Sequence, residues 1–414
     1  MLAQLTKRPS AARNIALFLL FKFVQSLVFW QSVWFLYFQD LLSGAQAILL
    51  YAIYDLATTV LEVPSGFLSD RIGRRVTMVL SASAALLGAL LLVGGSAFWV
   101  FATAQICLGA GAAFASGTDS SLLYESLTAE QREDEVERQE LLAWRAGFAG
   151  FALSAVTGGF LAQIDLSLPF MVTVGTAGLA LICAFAFCQI ASSTPLATVS
   201  FAQQRSSLTE ALRAPVLVWL FALTVVMYGF SHLPFVFGQP FILEALDRMG
   251  LASSAPAISG TVTALMMGLS LAASAAAPSL RSKIGLAPML CLAVGMQIAL
   301  VLCLALSNSG IVIALLVFRM VPDALSRPFV IARIQPELQD ASRATYLSLQ
   351  SLIGRLLFAA SLWLAASGTS DTTLMSYPEI QQILWGYTAI GVAALVGLIL
   401  WARGLPLEGK TPRA

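Results

Sequence analysis

Charged residues are scarce in this sequence. They make up 11% of the chain, whereas 58% of its residues are hydrophobic and the mean hydropathy is +0.83. Soluble domains carry about 25% charged residues, and a soluble chain of 414 residues could not cover its surface with so few. The composition therefore indicates an integral membrane protein. The net charge of +1 also gives no field that would attract nucleic acid.

Histidine and paired cysteines are lacking as well. His232 is the one histidine of the sequence, and the five cysteines lie in apolar runs without any C-x-x-C spacing. Neither a metal site nor a disulfide framework is therefore expected. The sequence also has no phosphate-binding P-loop and no convincing pair of nucleophile and base. These absences argue against an ATP-driven pump and an enzyme, and no cofactor is expected.

Long apolar runs fill most of the chain instead. A membrane-spanning helix needs roughly 20 mainly apolar residues, and the first run is too long for the core of a signal peptide. On this basis the chain is an all-α integral membrane protein with twelve predicted spans. These spans cover residues 14–38, 44–68, 76–94, 98–124, 142–163, 167–190, 214–242, 255–279, 286–306, 309–327, 344–366 and 381–402.

The distribution of basic residues predicts the orientation. Of the 23 Lys and Arg residues, only Arg248 falls in a loop on the side opposite the N-terminus, while Lys22, Arg319 and Arg355 fall within spans. Lys and Arg accumulate in cytoplasmic loops, so both termini are expected in the cytoplasm. An even number of spans requires the same arrangement.

The spans divide into two sets of six. The longest polar interruption predicts a cytoplasmic central linker over 191–213, between an N-terminal bundle at 1–190 and a C-terminal bundle at 214–414. A weak internal repeat supports this division, because PSLRSKIG after span 8 occupies the place of GFLSDRIG after span 2. Gly285 corresponds to Gly73 in this alignment. Related half-domains leave such a repeat in transporters.

A glycine and arginine motif, EVPSGFLSDRIGRR, lies between spans 2 and 3. Its glycines permit close helix approach and a tight turn, and its arginines suit a cytoplasmic loop. The motif resembles the loop signature G-x-x-x-D-R-x-G-R-R of the major facilitator superfamily. This resemblance implies two six-helix bundles that work by alternating access, with the loop as a gate between them; a topology signal alone is the other interpretation. The gating residues would be Gly66, Asp70, Arg71, Gly73, Arg74 and Arg75.

Other segments resemble a bacterial branch of presumed exporters, among them SGTDSSLLYESL at 116–127 and RATYLSLQSLIGR at 343–355. The resemblance implies a place in the bacterial inner membrane. Two signatures of drug/proton antiporters are incomplete, however. Gln105 stands where that branch has an arginine in span 4, and Ser154 and Ala155 replace the Gly-Pro of span 5. The direction of transport therefore stays open.

Ionisable residues within spans need a partner, water or a function. Lys22 and Asp55 are expected at a similar depth in the membrane, which predicts that they form an ion pair. This pair is either purely structural or a site that takes up and releases a proton. Asp55 and Glu62 lie seven apart on one face of span 2, where they could relay a proton, although Glu62 could instead brace the cytoplasmic loop. Asp119 is a candidate for facing a cavity, and Glu125 is expected to pair with the arginine loop.

The second half has its own charged group. Arg319 and Asp323 are four residues apart in span 10 and can pair, and Arg355 in span 11 lies at a comparable depth. A purely structural triad and a contact from Arg319 to an anionic group are both compatible with this spacing.

Spans 1 and 7 are rich in aromatic residues, with scattered amides such as Gln25. The resemblance implies that spans 1, 4, 7 and 10 line a central cavity, and aromatic walls suit amphipathic organic molecules. A position at the lipid interface is the alternative. His232 is either a satisfied buried histidine or a proton carrier. Span 7 is predicted to be broken or flexible because of Gly229, Pro234, Gly238 and Pro240.

These features predict a secondary transporter, with protons as the coupling ion and Asp55 and Asp119 as first candidates for carrying them. Its predicted function is export of an amphipathic small molecule or drug. Import of a small metabolite or siderophore, a lipid flippase and a non-transporting membrane sensor are the alternatives. The expected partners are a small-molecule substrate, protons and membrane lipids, and the protein is expected to be a monomer.

Overall fold

The computed structural model describes residues 9–190, 209–210, 212–334, 337, 340–367 and 375–408. Most of the predicted linker over 191–213 lies outside these residues. The described residues are predominantly helical, and no β-strand occurs among them. The chain divides into two units. The first comprises Met1–Leu42, Leu49–Leu196 and Ser259–Ala264, and the second comprises Ser43–Ile48, Ala197–Ile258 and Leu265–Ala414.

Helices α1 to α8 supply most of the first unit. Its core packs Phe18, Phe21, Met78 and Leu122 together with Phe187, all nearly inaccessible to solvent. Two short 3-10 helices, Phe29–Ser32 and Glu133–Glu135, lie between these α-helices. The α-helices are α1 (Pro9–Gln25), α2 (Trp34–Leu41), α3 (Gly44–Ile72), α4 (Arg74–Gly94), α5 (Phe98–Ala115), α6 (Thr118–Ala129), α7 (Val136–Ile164) and α8 (Leu168–Ala186).

Helices α9 to α15 supply most of the second unit, with 3-10 helices at Ala252–Ser254 and Leu316–Phe318. Buried Trp219 donates a hydrogen bond from its ring nitrogen to the Leu398 carbonyl at 3.0 Å and so joins the first and last of these helices. The α-helices are α9 (Pro215–Asp247), α10 (Ala255–Ile284), α11 (Leu286–Leu306), α12 (Gly310–Leu315), α13 (Val321–Ile334), α14 (Asp340–Ser367) and α15 (Tyr377–Ala402).

Eleven helical segments among the described residues are long and apolar enough to cross a membrane. They correspond to the predicted spans, except for the tenth at 309–327. That stretch is divided into α12, a 3-10 turn over Leu316–Phe318 and α13. Pro322 lies in the first turn of α13, where its missing N–H removes the hydrogen bond that would continue a helix from the preceding turn.

Spans 1 and 4 are also interrupted. In span 1, α1 ends at Gln25 and a 3-10 helix begins at Phe29. Two threonines of α8 satisfy the exposed backbone there: Thr173 accepts from the Phe29 N–H at 3.0 Å, and Thr176 donates to the Leu27 carbonyl at 2.8 Å. Such bonds are needed because the hydrocarbon region offers no water to an open backbone.

Span 7 is a continuous α-helix, so of its two predicted alternatives the broken helix was wrong and the flexible helix stays a prediction. Helix α9 runs unbroken from Pro215 to Asp247 with Pro234 and Pro240 inside it. Proline is tolerated within membrane helices when neighbouring groups satisfy the freed backbone. The breaks lie instead in spans 1, 4 and 10, and in span 4 the cause is Gly117, which has a left-handed φ of 72°.

The internal repeat is visible in the turns before α4 and α11. Gly73 and Gly285 both have positive φ, 93° and 84°, and each precedes the helix that follows it. In each turn a side chain that is distant in sequence accepts a hydrogen bond from the start of the following helix. Gln189 accepts from the Arg75 N–H at 3.2 Å, and Glu408 accepts from the Leu286 N–H at 2.6 Å. A Cβ at Gly66 would meet nothing within 4 Å among the described residues, so the close helix approach expected there stays a prediction.

Replacing Glu408 with alanine is expected to lower the stability of the second unit. Glu408 caps α11 and also lies 3.8 Å from Arg281, and loss of a capping acceptor costs about 1 kcal/mol. Thermal unfolding of the purified protein in detergent would measure the change. Glu244→Ala is the control, because its exposed pair with Arg248 contributes under about 0.5 kcal/mol. Equal melting temperatures for the two variants would contradict the capping role.

Candidate functional site

An ion pair joins two of the interrupted helices in the first unit. The Lys22 ammonium lies in the last turn of α1 and donates to Asp119 Oδ2 at 2.7 Å. Asp119 lies in the first turn of α6, directly after the turn at Gly117, and its Oδ1 accepts from the Ser120 N–H at 2.8 Å. The side chains are 26% and 14% exposed, so both charges are largely removed from solvent.

This geometry corrects the predicted Lys22–Asp55 pair, because the partner of Lys22 is Asp119. Asp55 lies in α3 and is 1% exposed. The nearby Thr58 and Thr59 hydroxyls donate to the Tyr54 and Asp55 carbonyls of their own helix. Those donors are therefore engaged by the backbone of α3.

Glu62 lies two turns beyond Asp55 on the same face of α3. Its carboxylate contacts the residue that follows α5. The Ser116 hydroxyl donates to its carboxylate at 3.4 Å. Ser65, on the next turn, donates to the Ala113 carbonyl at 2.8 Å. Both bonds tie α3 to the chain just before the break in span 4, where Ser116 lies three residues and Ala113 six residues before Asp119.

A polar network connects the arginine loop to α6. Arg74 donates from Nε to Glu125 at 3.0 Å and from Nη1 to the Ser69 hydroxyl at 2.9 Å. The Thr118 hydroxyl donates to the same Ser69 oxygen at 3.1 Å. The expectation that Glu125 pairs with the arginine loop is confirmed. Helix α6 thus carries Asp119 near its start and Glu125 two turns later, and both bind a basic residue.

Other residues of the predicted gate are described in part. Arg75 donates to the Phe185 carbonyl at 3.0 Å, and Arg71 is exposed. Gly73 forms the tight turn that the motif predicts. The side chain of Asp70 lies outside the described part of the structure. A latch between the two halves stays a prediction.

The acidic segment after α6 balances some of its own charge. Arg132 donates two hydrogen bonds to Glu135, at 2.7 and 2.8 Å, and Gln139 donates a third at 3.3 Å. The hydrogen bonds from Arg132 lower the pKa of Glu135 to about 2. This carboxylate is therefore charged at any physiological pH, and Arg132 is engaged by its own segment.

Gln25 lines a small cavity of the first unit, about 70 Å³ in volume, beside the break in span 1. Apolar side chains form most of its wall, and Thr173 and Thr176 supply the other polar groups. The volume is enough for a few water molecules. Among the described residues, no group of three or more His, Cys, Asp or Glu side chains could hold a metal ion.

Helix α9 presents a polar and aromatic stripe in the second unit. Tyr228, His232 and Phe235 follow one another at spacings of four and three, which places them on one face. The Arg355 guanidinium lies 5.8 Å from the centre of the Tyr228 ring, and that of Arg319 lies 5.1 Å from the centre of the Phe235 ring.

His232 lies between these two contacts. Its Nδ1 is 2.7 Å from the Tyr228 carbonyl, which can only accept, so Nδ1 carries a proton. Its ring lies 4.2 Å from that of Tyr228 and 5.6 Å from that of Phe358. These contacts favour the interpretation of His232 as a satisfied buried histidine.

Asp323, in the first turn of α13, accepts from Gln297 of α11 at 3.3 Å. Its pairing with Arg319 stays a prediction. Sequence reasoning did not find Gln297, Ser69, Tyr228 or the capping residues Gln189 and Glu408. Short polar side chains in apolar helices carry no signal of their own; only the i, i+4, i+7 spacing on α9 could have indicated the stripe.

Two helical units with ionisable residues beside interrupted spans are typical of multi-pass membrane transporters. A family model described as the Major Facilitator Superfamily matches residues 15–362. The chain therefore belongs to the major facilitator superfamily, and it is a multi-pass membrane transporter with that fold.

Solved structures of this fold resemble the chain over nearly its whole length. The nucleoside transporter NupG is 12% identical with a TM-score of 0.74, covering 94% of this chain and 99% of its own. The POT family transporter PepTSo is 12% identical with a TM-score of 0.72, covering 96% and 99%. PepTSo2, a tetramer in its crystal, is 15% identical with a TM-score of 0.68, covering 96% and 99%. Among curated proteins, none matches the chain.

Proposed function

We propose that this protein couples proton movement to the export of an amphipathic small molecule. It would work by alternating access of its two halves, as a monomer in the bacterial inner membrane with both termini in the cytoplasm. The placement of Arg248 as the one basic residue in an opposite loop supports this orientation. The resemblance of residues 116–127 and 343–355 to presumed exporters supports the direction.

The observation that carries the proposal is the Lys22–Asp119 ion pair at 2.7 Å. A carboxylate held by an ammonium has two states: charged and paired, or protonated and released. Because both groups lie next to helix breaks, the two states can favour different arrangements of α1 and α6. A ligand or proton shifts a conformational equilibrium only through such a difference between states.

Helix α6 would transmit that change to the arginine loop. Asp119 binds Lys22 near its start, and Glu125 binds Arg74 farther along. A shift of this short helix on protonation therefore alters the Arg74 contact as well. The gate formed by Gly66 to Arg75 would then open or close in step with the ion pair. Asp55 and Glu62 are the second carboxylate group that such a cycle could use.

Flux into inverted membrane vesicles tests the proposal. Two permanently charged probes with one aromatic body, pyrenesulfonate and pyrenylmethyl-trimethylammonium, avoid redistribution of a weak acid or base across the pH gradient. With the membrane potential clamped, we expect uptake of at least one probe into acidified vesicles that contain the protein. Adding nigericin should stop it.

The outcomes separate the alternatives. Flux that continues after the gradient is collapsed would contradict proton coupling. Gradient-driven loss of preloaded probe from the acid lumen would indicate import in the cell. Vesicles without the protein give the background for both probes. A fluorescent phospholipid that crosses the bilayer while neither probe moves would indicate a flippase.

A further inference from the structure

Residues 405–408 follow the last helix of the second unit and form a strap between two other elements. At one end, the Arg333 guanidinium of α13 donates to two carbonyls of the strap, at 2.9 and 3.3 Å. At the other end, Glu408 accepts from the Leu286 N–H at the start of α11 at 2.6 Å. Leu407 lies between these contacts and is 3% exposed, so the strap is packed as well as hydrogen-bonded.

All three side-chain nitrogens of Arg333 are engaged. Its Nη1 donates to Glu337 at 2.6 Å, while Nε and Nη2 donate to the strap. The side chain is 12% exposed, so water has little access to these bonds. A guanidinium holds its donors in a rigid planar fork, which lowers the conformational cost of each hydrogen bond. Arg333 therefore ties the C-terminal end of α13 to the strap.

Helix α13 depends on this attachment because its other end is interrupted. A 3-10 turn over Leu316–Phe318 separates α13 from α12, and Pro322 in its first turn cannot donate a helical hydrogen bond. Residues at the ends of elements commonly act as hinges. At 1.5 Å per residue the 14 residues of α13 extend about 21 Å, so a small rotation at the turn would displace the far end strongly.

Helix α6, which follows the break in span 4, is attached in another way. Its ion pairs join it to α1 and to the arginine loop. The chain after α8 reaches it indirectly, because Asn14 of α1 binds both backbone groups of Cys188 and also donates to Ser126 of α6 at 3.1 Å. An ion pair weakens when its carboxylate takes up a proton, whereas the bonds from a guanidinium to backbone carbonyls do not titrate.

From these contacts we propose that the strap is a restraint that holds α13 in place, so that α6 shifts during the working cycle and α13 does not. The restraint goes beyond the proposed transport function, and rests on it only for its meaning in a cycle. In that cycle the second unit moves as one rigid body, while the first unit changes shape at α6. Loss of the strap should therefore loosen α13 and leave α6 as it is.

Hydrogen–deuterium exchange of the purified protein in phosphatidylcholine nanodiscs, without probe or gradient, measures this restraint, because amides exchange through local opening. A chain that ends at Gly404 lacks the strap. We expect exchange over 329–334 to become roughly tenfold faster or more, as for loss of two hydrogen bonds from a charged donor, while exchange over 118–129 stays unchanged. A chain that ends at Glu408 keeps the strap contacts. It is the matched control and should change neither segment.

Arg333→Gln tests the restraint in a chain of full length. Glutamine keeps two donors on a single nitrogen and cannot bind both strap carbonyls in the plane that the guanidinium provides. Exchange over 329–334 should again rise roughly tenfold. Arg403→Gln changes an exposed arginine just before the strap in the same way and should have no effect. Arg333→Gln decides the matter if the shortened chain fails to fold.

Two results would overturn the proposal. The first is unchanged exchange over 329–334 in either variant. The second is an equal rise throughout the helices of the second unit, which would assign the strap to overall stability. The proposed function fails separately. Faster exchange confined to α13, in a protein without gradient-driven flux, would keep the strap and remove coupled transport. Flux with unchanged exchange would do the reverse.

Discussion

Asp119→Asn should abolish gradient-driven flux while leaving the protein folded. Asparagine has nearly the same shape and can still accept a hydrogen bond from Lys22, but it cannot take up or release a proton. Because Lys22 keeps a partner, the loss of stability should be about 1–2 kcal/mol, less than the cost of stranding a buried charge. Probe uptake in acidified inverted vesicles, relative to protein level, measures the effect. We expect it to fall to the background of vesicles without the protein.

The control for this substitution makes the same chemical change elsewhere in the first unit. The control is Asp165→Asn. Asp165 lies in the connection between α7 and α8, where its carboxylate accepts a hydrogen bond from the Ser167 N–H at 2.7 Å. It should leave flux unchanged. The double variant Lys22→Gln, Asp119→Asn separates coupling from stability, because it removes both charges together. Full gradient-driven flux in that neutral pair would show that the ion pair is only structural.

The architecture could be predicted because membrane insertion leaves strong marks in a sequence. Runs of about 20 apolar residues and the scarcity of charge follow directly from the hydrocarbon environment. The EVPSGFLSDRIGRR motif indicated the family, and Gly73 has the positive φ that a tight turn requires. These features depend on local composition and spacing, which a single sequence contains.

The ion pair was predicted with the wrong partner because depth along a helix does not determine rotation about its axis. Lys22 and Asp55 can lie at one depth and still face different neighbours. The turn at Gly117, with φ of 72°, sets a new axis for α6 and brings Asp119 to Lys22. Residues 115–117, Ala-Ser-Gly, read as an ordinary small-residue stretch, so the sequence alone did not indicate this change of direction.

The helix breaks were misplaced for a related reason. Two internal prolines suggested a break in span 7, but α9 passes through both. Span 1, which has no proline or glycine at its break, is interrupted at Ser26 to Val28, where Thr173 and Thr176 from α8 bind the open backbone. The tertiary partner makes this break possible, and that partner lies about 150 residues away in the chain.

Among glycine-to-alanine substitutions in the first unit, Gly158→Ala should destabilise the fold most. A Cβ at this position of α7 would collide with the carbonyl oxygen of Phe29, in the interrupted part of span 1. A Cβ added to Gly150, two turns earlier, would lie 2.6 Å from the carbonyl oxygen of Phe23. The clash is with backbone, which cannot move aside like a flexible side chain. These glycines therefore let the break in span 1 pack against α7.

Relief of this clash requires the 3-10 helix Phe29–Ser32 and α7 to separate, which would also disturb the bonds from Thr173 and Thr176. We expect Gly158→Ala to lose about 3 kcal/mol or more, above the usual range for overpacking because backbone is involved. The readout is the melting temperature and the monodisperse fraction after purification in detergent. Gly178→Ala in α8 is the matched control, since a Cβ there meets nothing within 4 Å among the described residues. The control should keep or raise stability by up to about 1 kcal/mol, because alanine favours a helix over glycine. Similar melting temperatures for both variants would contradict the close packing of α7 on the interrupted span.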